Sequence, residues 1–250
     1  MKMTGKRVLV TGGSSGIGLE VSRALADAGA DVVVTGRDAS QLKRVALQNP
    51  GLTAHVCDVT NDFAVRGLVK AMEAEGGLDV LVNNAGVSQF LDVVQAPPLA
   101  IQQDDIDINV VGPIRLIHRF LPLLLQRPSI IVNVSSGTVF VPFAAAPVYS
   151  ASKAFVHAYS RCLRTQLGET SVRVVELLPP IVDTPMSERI NVEGLEKLPA
   201  RELARALLRG LENGVDEIAP GLSRRLRVMN RIAPGFIYQQ LNGRPLVTDA

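Results

Sequence analysis

The sequence predicts an α/β protein: one doubly wound domain with a mainly parallel sheet and helices on both faces. Short β-branched runs alternate with longer segments of helical period along the chain, the pattern of repeated βαβ units. The short runs are continuously apolar, as strands buried on both faces are. A chain of 250 residues, 47% apolar and 20% charged, also suits a single large core, because cores stop growing at roughly 250–300 residues.

In order, Arg7–Thr11 (RVLVT) is the first strand and about Ile17–Ala28 the first helix. Asp31–Thr35 (DVVVT) is the second strand, followed by a helix over Ala39–Leu47 that Asp38 caps, with Gln41 three residues on. Strands follow at Thr53–Cys57, Asp79–Asn83 and Ser129–Ser135, with helices at Asp62–Glu75 and Asp104–Leu125. A helix over Ser150–Leu167, a strand at Val172–Leu178 and a helix over Ala200–Asn213 complete the alternation. No repeat, linker or low-complexity stretch divides the chain. Residues 1–250 are therefore expected to form a single dinucleotide-binding and catalytic domain, with 185–250 as its substrate-side segment and C-terminal extension.

Composition excludes several classes. Lys and Arg total 26 against 24 acids, so nothing supports generic nucleic-acid binding, which runs on phosphate neutralisation. The longest apolar run, Val139–Val148, is interrupted by Pro142 and Pro147 and falls short of the roughly 20 residues a membrane span needs. Only Val8, Leu9 and Val10 follow the basic start before Thr11-Gly12-Gly13, too few for a signal-peptide core. Cys57 and Cys162 read as buried, reduced thiols, and a cytoplasmic location is expected. His55, His118 and His157 lack ligand spacing, so no metal site is expected.

Open sheets of this kind bind ligands outside the carboxyl ends of their strands. After the first strand comes Thr11-Gly12-Gly13-Ser14-Ser15-Gly16-Ile17-Gly18. Its glycines let backbone approach a pyrophosphate, and the helix that follows offers unpaired N–H groups and a positive dipole end. The second strand closes on Thr35-Gly36-Arg37, with no acid at 35 or 36. An acid there would repel a 2′-phosphate, whereas a guanidinium grips one, so NADP(H) is expected over NAD(H).

Tyr149 and Lys153 lie four residues apart at the start of a helix, hence on one face. A nearby ammonium favours phenolate, so Lys153 is expected to bring the Tyr149 pKa down toward the working range. Ser136, just past the Ser129–Ser135 strand, is placed to face the same cleft and hold a carbonyl oxygen. Ser135 is its rival, and strand alternation lets only one of the two point at the ligand. Pro113 has no N–H and would clash with the carbonyl of Asn109, which is therefore expected to stay outside the helix ladder, free to hold water.

Together these residues resemble the short-chain dehydrogenase/reductase family over about Lys6–Thr184. The elements that match are the Gly12–Gly18 loop, Cys57-Asp58-Val59, Asn83-Asn84-Ala85-Gly86 and Asn109 in Asn-Val-Val-Gly. Ser136, Tyr149 and Lys153, then Pro179-x-x-Val182-x-Thr184, follow in the family's order. The resemblance implies a Rossmann-like fold and hydride transfer between NAD(P) and a carbonyl or alcohol. It implies Tyr149 as general acid/base, Ser136 rather than Ser135 as the group polarising the carbonyl, and Lys153 as the tuner of Tyr149 and holder of the nicotinamide ribose. Asn109 would support a proton relay. Asp58 and Val59 would meet the adenine, Asn84, Ala85 and Gly86 would wall the cofactor, and Val182 and Thr184 would meet the carboxamide. Family members are commonly homodimers or homotetramers, here through helices Asp104–Leu125 and Ser150–Leu167.

Two departures matter. Pro179-Pro180 replaces the family's usual Pro-Gly, which stiffens the backbone expected under the nicotinamide. Ser15 stands where some NADP-preferring members carry a basic residue, so 2′-phosphate selectivity falls largely to Arg37. The stretch Val172–Pro180, with Thr35-Gly36-Arg37, is similar to a subgroup named for the oxidoreductase encoded with the D-alanyl-lipoteichoic-acid genes.

Substrate contacts are expected from Ser88–Leu91, Gly137–Pro147 and the segment after Thr184. Phe90, Val139, Phe140, Phe143 and Met186 form an apolar set, which suits a neutral, fairly apolar ketone, aldehyde or secondary alcohol. Residues 222–232 carry an apolar stripe beside Arg224, Arg225, Arg227 and Arg231, expected to pack on the protein or a second subunit rather than on a membrane. The alternative to an enzyme is a dinucleotide-binding redox sensor or scaffold without turnover, for which Tyr149 with Lys153 would have no use.

Overall fold

The computed structural model describes residues 1–190 and 196–243. Strands β1 (Arg7–Thr11), β2 (Asp31–Gly36), β3 (Leu52–Val56), β4 (Val80–Asn83), β5 (Ser129–Val134) and β6 (Val172–Leu177) follow the apolar runs to within a residue or two. Two-residue strands β7 (Val182–Asp183) and β8 (Leu198–Pro199) pair with each other, and β9 (Glu217–Ile218) adds to the edge beside β6. The main sheet runs β3-β2-β1-β4-β5-β6-β9, and all its pairings are parallel. Strand order therefore reverses between β1 and β4, and a crevice opens past their carboxyl ends.

Alternation along each strand divides the core between two faces. Val8, Val10, Val80, Val82, Ile130 and Val132 pack with helices α1 (Gly16–Asp27) and α2 (Ala39–Gln48) on one side. Leu9, Leu81, Ile131 and Val174 pack on the other with α3 (Asp62–Ala74) and with the helix that carries Leu116, Ile117 and Phe120. Burial on both sides is the reason these strands carry no polar alternation.

The helix expected over Asp104–Leu125 differs from its sequence reading. It begins five residues earlier as α4 (Leu99–Ile106), widens into a π turn at Asp107–Val111, and continues as α5 (Gly112–Leu124). Gly112 N–H reaches back to the Asp107 carbonyl, one residue beyond the α-helical partner. Pro113 follows with no N–H to give to Asn109, and π turns of this kind absorb such a break.

The last two parallel crossovers of the main sheet use α6 (Pro147–Gln166), which leads into β6, and α7 (Ala200–Glu212), which leads into β9 and packs against α1. Helices α8 (Leu222–Ile232) and α9 (Pro234–Asn242) then fold back over the crevice. Leu226 and Ile237 are buried with Val141, and Asn242 Nδ2 donates to the Pro142 carbonyl at 3.0 Å. The basic segment 222–232 is thus a helix with one side packed on its own chain, while Val228 and Ile232 stay exposed. Among the described residues no helix is long and apolar enough to cross a membrane.

Candidate active site

The crevice is bounded on one side by the turn from β1 into α1. Gly12 and Gly16 have φ of +64° and +51°, a region that disfavours side chains. A Cβ on Gly12 would sit 2.9 Å from Ala85 Cα, and one on Gly18 would collide with the Gly12 carbonyl and Asn84 Nδ2. Asn84 clamps the loop from β4, with Nδ2 donating to the Thr11 carbonyl at 2.9 Å and the Gly12 carbonyl at 3.2 Å. Ser15 at the start of α1 gives its side chain to none of the first-turn N–H groups. These donors stay available beside the crevice.

Gly12, Ser14, Ser15, Gly16, Ile17, Gly18, Asn84, Ala85 and Gly86 all line one cleft, as do Pro179, Val182 and Thr184 from the β6–β7 connection. Three expected cofactor contacts lie beyond that lining. Arg37 is exposed after β2, next to Gly36, where a Cβ would be 3.3 Å from Ser14 Oγ. Asp58 accepts the Thr60 N–H at 2.9 Å, and Val59 is buried at the end of β3 with its carbonyl taken by Arg115 at 2.7 Å. Asp38 accepts the Gln41 N–H at 3.0 Å and caps α2, as its spacing predicted.

Ser136, Tyr149 and Lys153 line the same cleft. Ser136 is buried just past β5, and Tyr149 and Lys153 come from the first turns of α6. Lys153 Nζ donates to the Val134 carbonyl at 3.0 Å and stands 5.7 Å from the centre of the Tyr149 ring. The choice between the two serines is geometric. Ser135 gives its hydroxyl to Glu176, whereas Ser136 lies beside the phenol, where it can donate to a phenolate.

The acidity of Tyr149 departs from the sequence reading. Burial pushes the phenol above its usual range, the Ser136 hydroxyl pulls it back, and the charge of Asp105 pushes it further up. Burial brings Lys153 itself down to about 8, opposed by Asp105. Four-residue spacing puts the amine near the ring but says nothing of depth, and here burial is the largest influence on the phenol.

Asn109 lies outside the lining and acts through hydrogen bonds. Its amide exchanges two bonds of 2.9 Å with the backbone of Val87 and donates to Ser152 Oγ at 3.0 Å. Ser152 in turn donates to the Tyr149 carbonyl at 2.7 Å, so Asn109 ties the Asn84–Gly86 loop to α6. A Cβ on Gly86 would stand 3.1 Å from Asn109 Oδ1 and 3.4 Å from Lys153 Nζ.

The far half of the cleft is apolar. Phe90 and Phe143 line it in edge-to-face contact at 6.1 Å, and Met186 sits at its rim, 45% exposed. Phe140, expected beside them, does not line the cleft. It meets His157 edge-on and packs with Val141, Leu226 and Ile237, because the turn at Gly137–Val139 rotates it toward α6 and the C-terminal helices. Val141, Leu222, Leu226 and Leu241 line the space instead. The amphipathic stripe of 222–232 was the available signal for two of them. Sequence reading also missed a buried set behind the cleft: Glu176, fully buried, accepts from Ser135 and lies 2.8 Å from His157 Nδ1. The Glu176 carboxylate raises the His157 pKa through that hydrogen bond, against burial. Asp105, fully buried in α4, was missed as well. Among the described residues no cluster of His, Cys, Asp or Glu suits a metal ion.

A model of the short chain dehydrogenase family matches residues 6–194. The uncharacterised oxidoreductase DltE of Bacillus subtilis is 37% identical over 248 residues, 97% of this chain and 98% of its own length. An uncharacterised oxidoreductase of Staphylococcus saprophyticus is 35% identical over 219 residues, 85% of this chain and 93% of its own. Among solved structures, a short chain dehydrogenase from Burkholderia cenocepacia in complex with NADP superposes with a TM-score of 0.86 at 26% identity, covering 96% of this chain and 99% of that one. One from Burkholderia phymatum in complex with NAD shares the fold with a TM-score of 0.83 at 23% identity, covering 100% and 99%.

Proposed function

This chain belongs to the short-chain dehydrogenase family and is an NAD(P)-dependent oxidoreductase, and from that premise we propose that it interconverts a carbonyl and an alcohol, with NADP(H) preferred over NAD(H). The observation that carries the reading is convergence: Ser136, Tyr149 and Lys153 share one cleft with a glycine loop packed so closely against Asn84 and Ala85 that Gly12 and Gly18 admit no side chain.

The residues present fit a nicotinamide dinucleotide. Gly12 and Gly16 border the cleft without side chains, Gly18 lets α1 pack closely on the loop, and the uncapped first turn of α1 would hold the pyrophosphate. Arg37 would hold the 2′-phosphate. Its neighbour Asp38 accepts the Gln41 N–H and caps α2. Asp58 and Val59 would face the adenine, Asn84, Ala85 and Gly86 would wall the site, and Pro179, Val182 and Thr184 would border the nicotinamide. When bound, the dinucleotide supplies or takes up the hydride.

Ser136 would donate a hydrogen bond to the carbonyl oxygen, and Tyr149 would give that oxygen its proton in reduction and take one back in oxidation. A phenol whose pKa burial has raised keeps its proton at neutral pH, which suits the reducing direction. Lys153, near 8, changes protonation close to working pH and would hold the ribose hydroxyls. Asn109 would keep α6 and the Gly86 loop in register and support the proton path. The apolar far half, with Phe90, Phe143, Met186 and Leu226, fits a neutral ketone, aldehyde or secondary alcohol.

The test is a panel of carbonyls and alcohols assayed with both nucleotides. The reading predicts turnover of neutral apolar substrates with higher kcat/KM for NADPH. Higher kcat/KM for NADH would overturn the cofactor preference, and a preference for sugar phosphates would overturn the substrate class. No turnover on any substrate would favour the redox sensor. Exposed Ile106 on α4, Leu125 at the end of α5 and Phe155 on α6 fit a homodimer or homotetramer, which light scattering would detect as a mass of two or four chains. Burial pushes the Cys57 thiol up to about 11, whereas Cys162, expected to be buried too, is exposed on the outer side of α6; a cytoplasmic location is proposed for the chain.

A further inference from the structure

The stretch Asp104-Asp105-Ile106-Asp107 carries three acids in four residues, and they are not equivalent. Asp104 and Asp107 are exposed, whereas Asp105 has no exposed surface. It lies one helical turn before Asn109, on the face that α4 turns toward α6. Neither carboxyl oxygen has a hydrogen-bond partner among the described residues. The Gln89 N–H is near enough to draw its pKa down, though outside hydrogen-bonding geometry. A carboxylate buried this way is costly unless its charge is used, because water is excluded and nothing else neutralises it.

Lys153 on α6 is buried as well, and its Nζ borders Gly86 together with Asn109 Oδ1, one turn along from Asp105. Among the described residues its acceptor is the uncharged Val134 carbonyl, and no direct hydrogen bond joins it to Asp105. We propose that Asp105 is a positioning residue that acts through Lys153, serving as the buried counter-charge that keeps the amine an ammonium beside Tyr149 at neutral pH. This deepens, and rests on, the roles given to Lys153 and Tyr149 above.

The electrostatics agree in both directions. Burial pushes the Asp105 carboxyl up to about 6, with the Gln89 N–H and Lys153 drawing it down and Asp104 pushing it up. Burial brings Lys153 down to about 8, and Asp105 is the charge that holds it up. Asp105 also raises the phenol of Tyr149. These are the titratable and charged groups around it: Lys153 and Tyr149 on α6, and Asp104 on its own helix. Ser152 and Asn109 nearby are polar but uncharged. Between about 6 and about 8, acid and amine are therefore both charged, and the pair holds the proton that an isolated buried lysine would lose.

Stability carries a signature of this role. The folded-state pKa of Asp105 lies above the unfolded one, so its protonated form stabilises the fold below about 4, and that stability is lost as pH climbs through about 6. The ionised acid is kept at a cost to folding, as functional groups often are.

The experiment uses the full chain and the substitution Asp105→Asn, which keeps the shape and removes the charge. Three quantities are read: Tm at pH 4 and 7.5, the Lys153 titration by NMR of 13C-labelled lysine (assigned with Lys153→Arg), and the basic limb of the kcat/KM profile. The expected result is a higher Tm at pH 7.5, no change at pH 4, and a Lys153 midpoint lower by at least about half a pH unit, with the basic limb following. A Tm lowered at both pH values would make Asp105 a structural anchor and overturn the proposal, as would an unmoved Lys153 midpoint. The Tm and NMR readouts need no substrate, so an absence of turnover would count against the proposed reaction alone.

Discussion

The two halves of the cleft are made of different material. The half around Gly12–Gly18 and Asn84–Gly86 is shaped by backbone, with Cβ-free positions packed against one another and hydrogen bonds from Asn84 closing the gap between β1 and β4. The half around Phe90, Phe143, Met186, Leu222 and Leu226 is shaped by side chains from segments far apart in the chain, and part of it is exposed. A backbone cradle admits one kind of ligand and tolerates little change. A wall of apolar side chains on turns and terminal helices can be altered piece by piece, which is where substrate choice can vary without loss of the chemistry.

That contrast can be broken or sharpened by substitution. The largest effect is expected for Gly18→Val, because its Cβ would meet the Gly12 carbonyl and Asn84 Nδ2. Denaturant melts should show a loss of about 1–3 kcal/mol from overpacking, with nucleotide binding abolished. Next is Ser136→Ala, expected to lower kcat on the order of 100-fold with nucleotide Kd unchanged, since one donor to a developing oxyanion is lost. Arg37→Ala should shift the NADPH to NADH ratio of kcat/KM by roughly 10–100-fold toward NADH, the worth of a charge-assisted hydrogen bond to phosphate. Smallest is Met186→Ala at the exposed rim, where a few-fold change in substrate KM with unchanged nucleotide affinity is expected, as for about 1 kcal/mol of apolar contact. If Met186→Ala weakened the nucleotide as strongly as Gly18→Val, the two halves would not be separable.

The same division explains what could be read from the sequence. Strands β1, β2, β4, β5 and β6 were legible because burial on both faces writes itself as continuous Val, Ile and Leu. The glycine cradle was legible because backbone demands appear as glycine at fixed spacing. Strand β9 is two residues long and α9 has a weak apolar pattern, so neither leaves a clear period. The start of α4 was hidden by Pro97 and Pro98 just before it, and its π turn shows in sequence only through Pro113. The Ser135–Glu176–His157 set joins groups 19 and 41 residues apart, and no local spacing marks it. Asp105 was masked by Asp104 and Asp107, although its four-residue step to Asn109 places it on the buried face. The raised phenol of Tyr149 was hidden for another reason, since depth of burial is a property of the assembled site.

The most direct test of the account compares Tyr149→Phe with the wild-type chain, measuring NADPH affinity by fluorescence titration and turnover of the best carbonyl substrate in one buffer. The account predicts unchanged affinity within a few-fold and turnover lower by on the order of 100- to 10,000-fold, the usual contribution of a general acid. Turnover that survives the loss of the hydroxyl would contradict it, because the proton would then come from a group other than Tyr149.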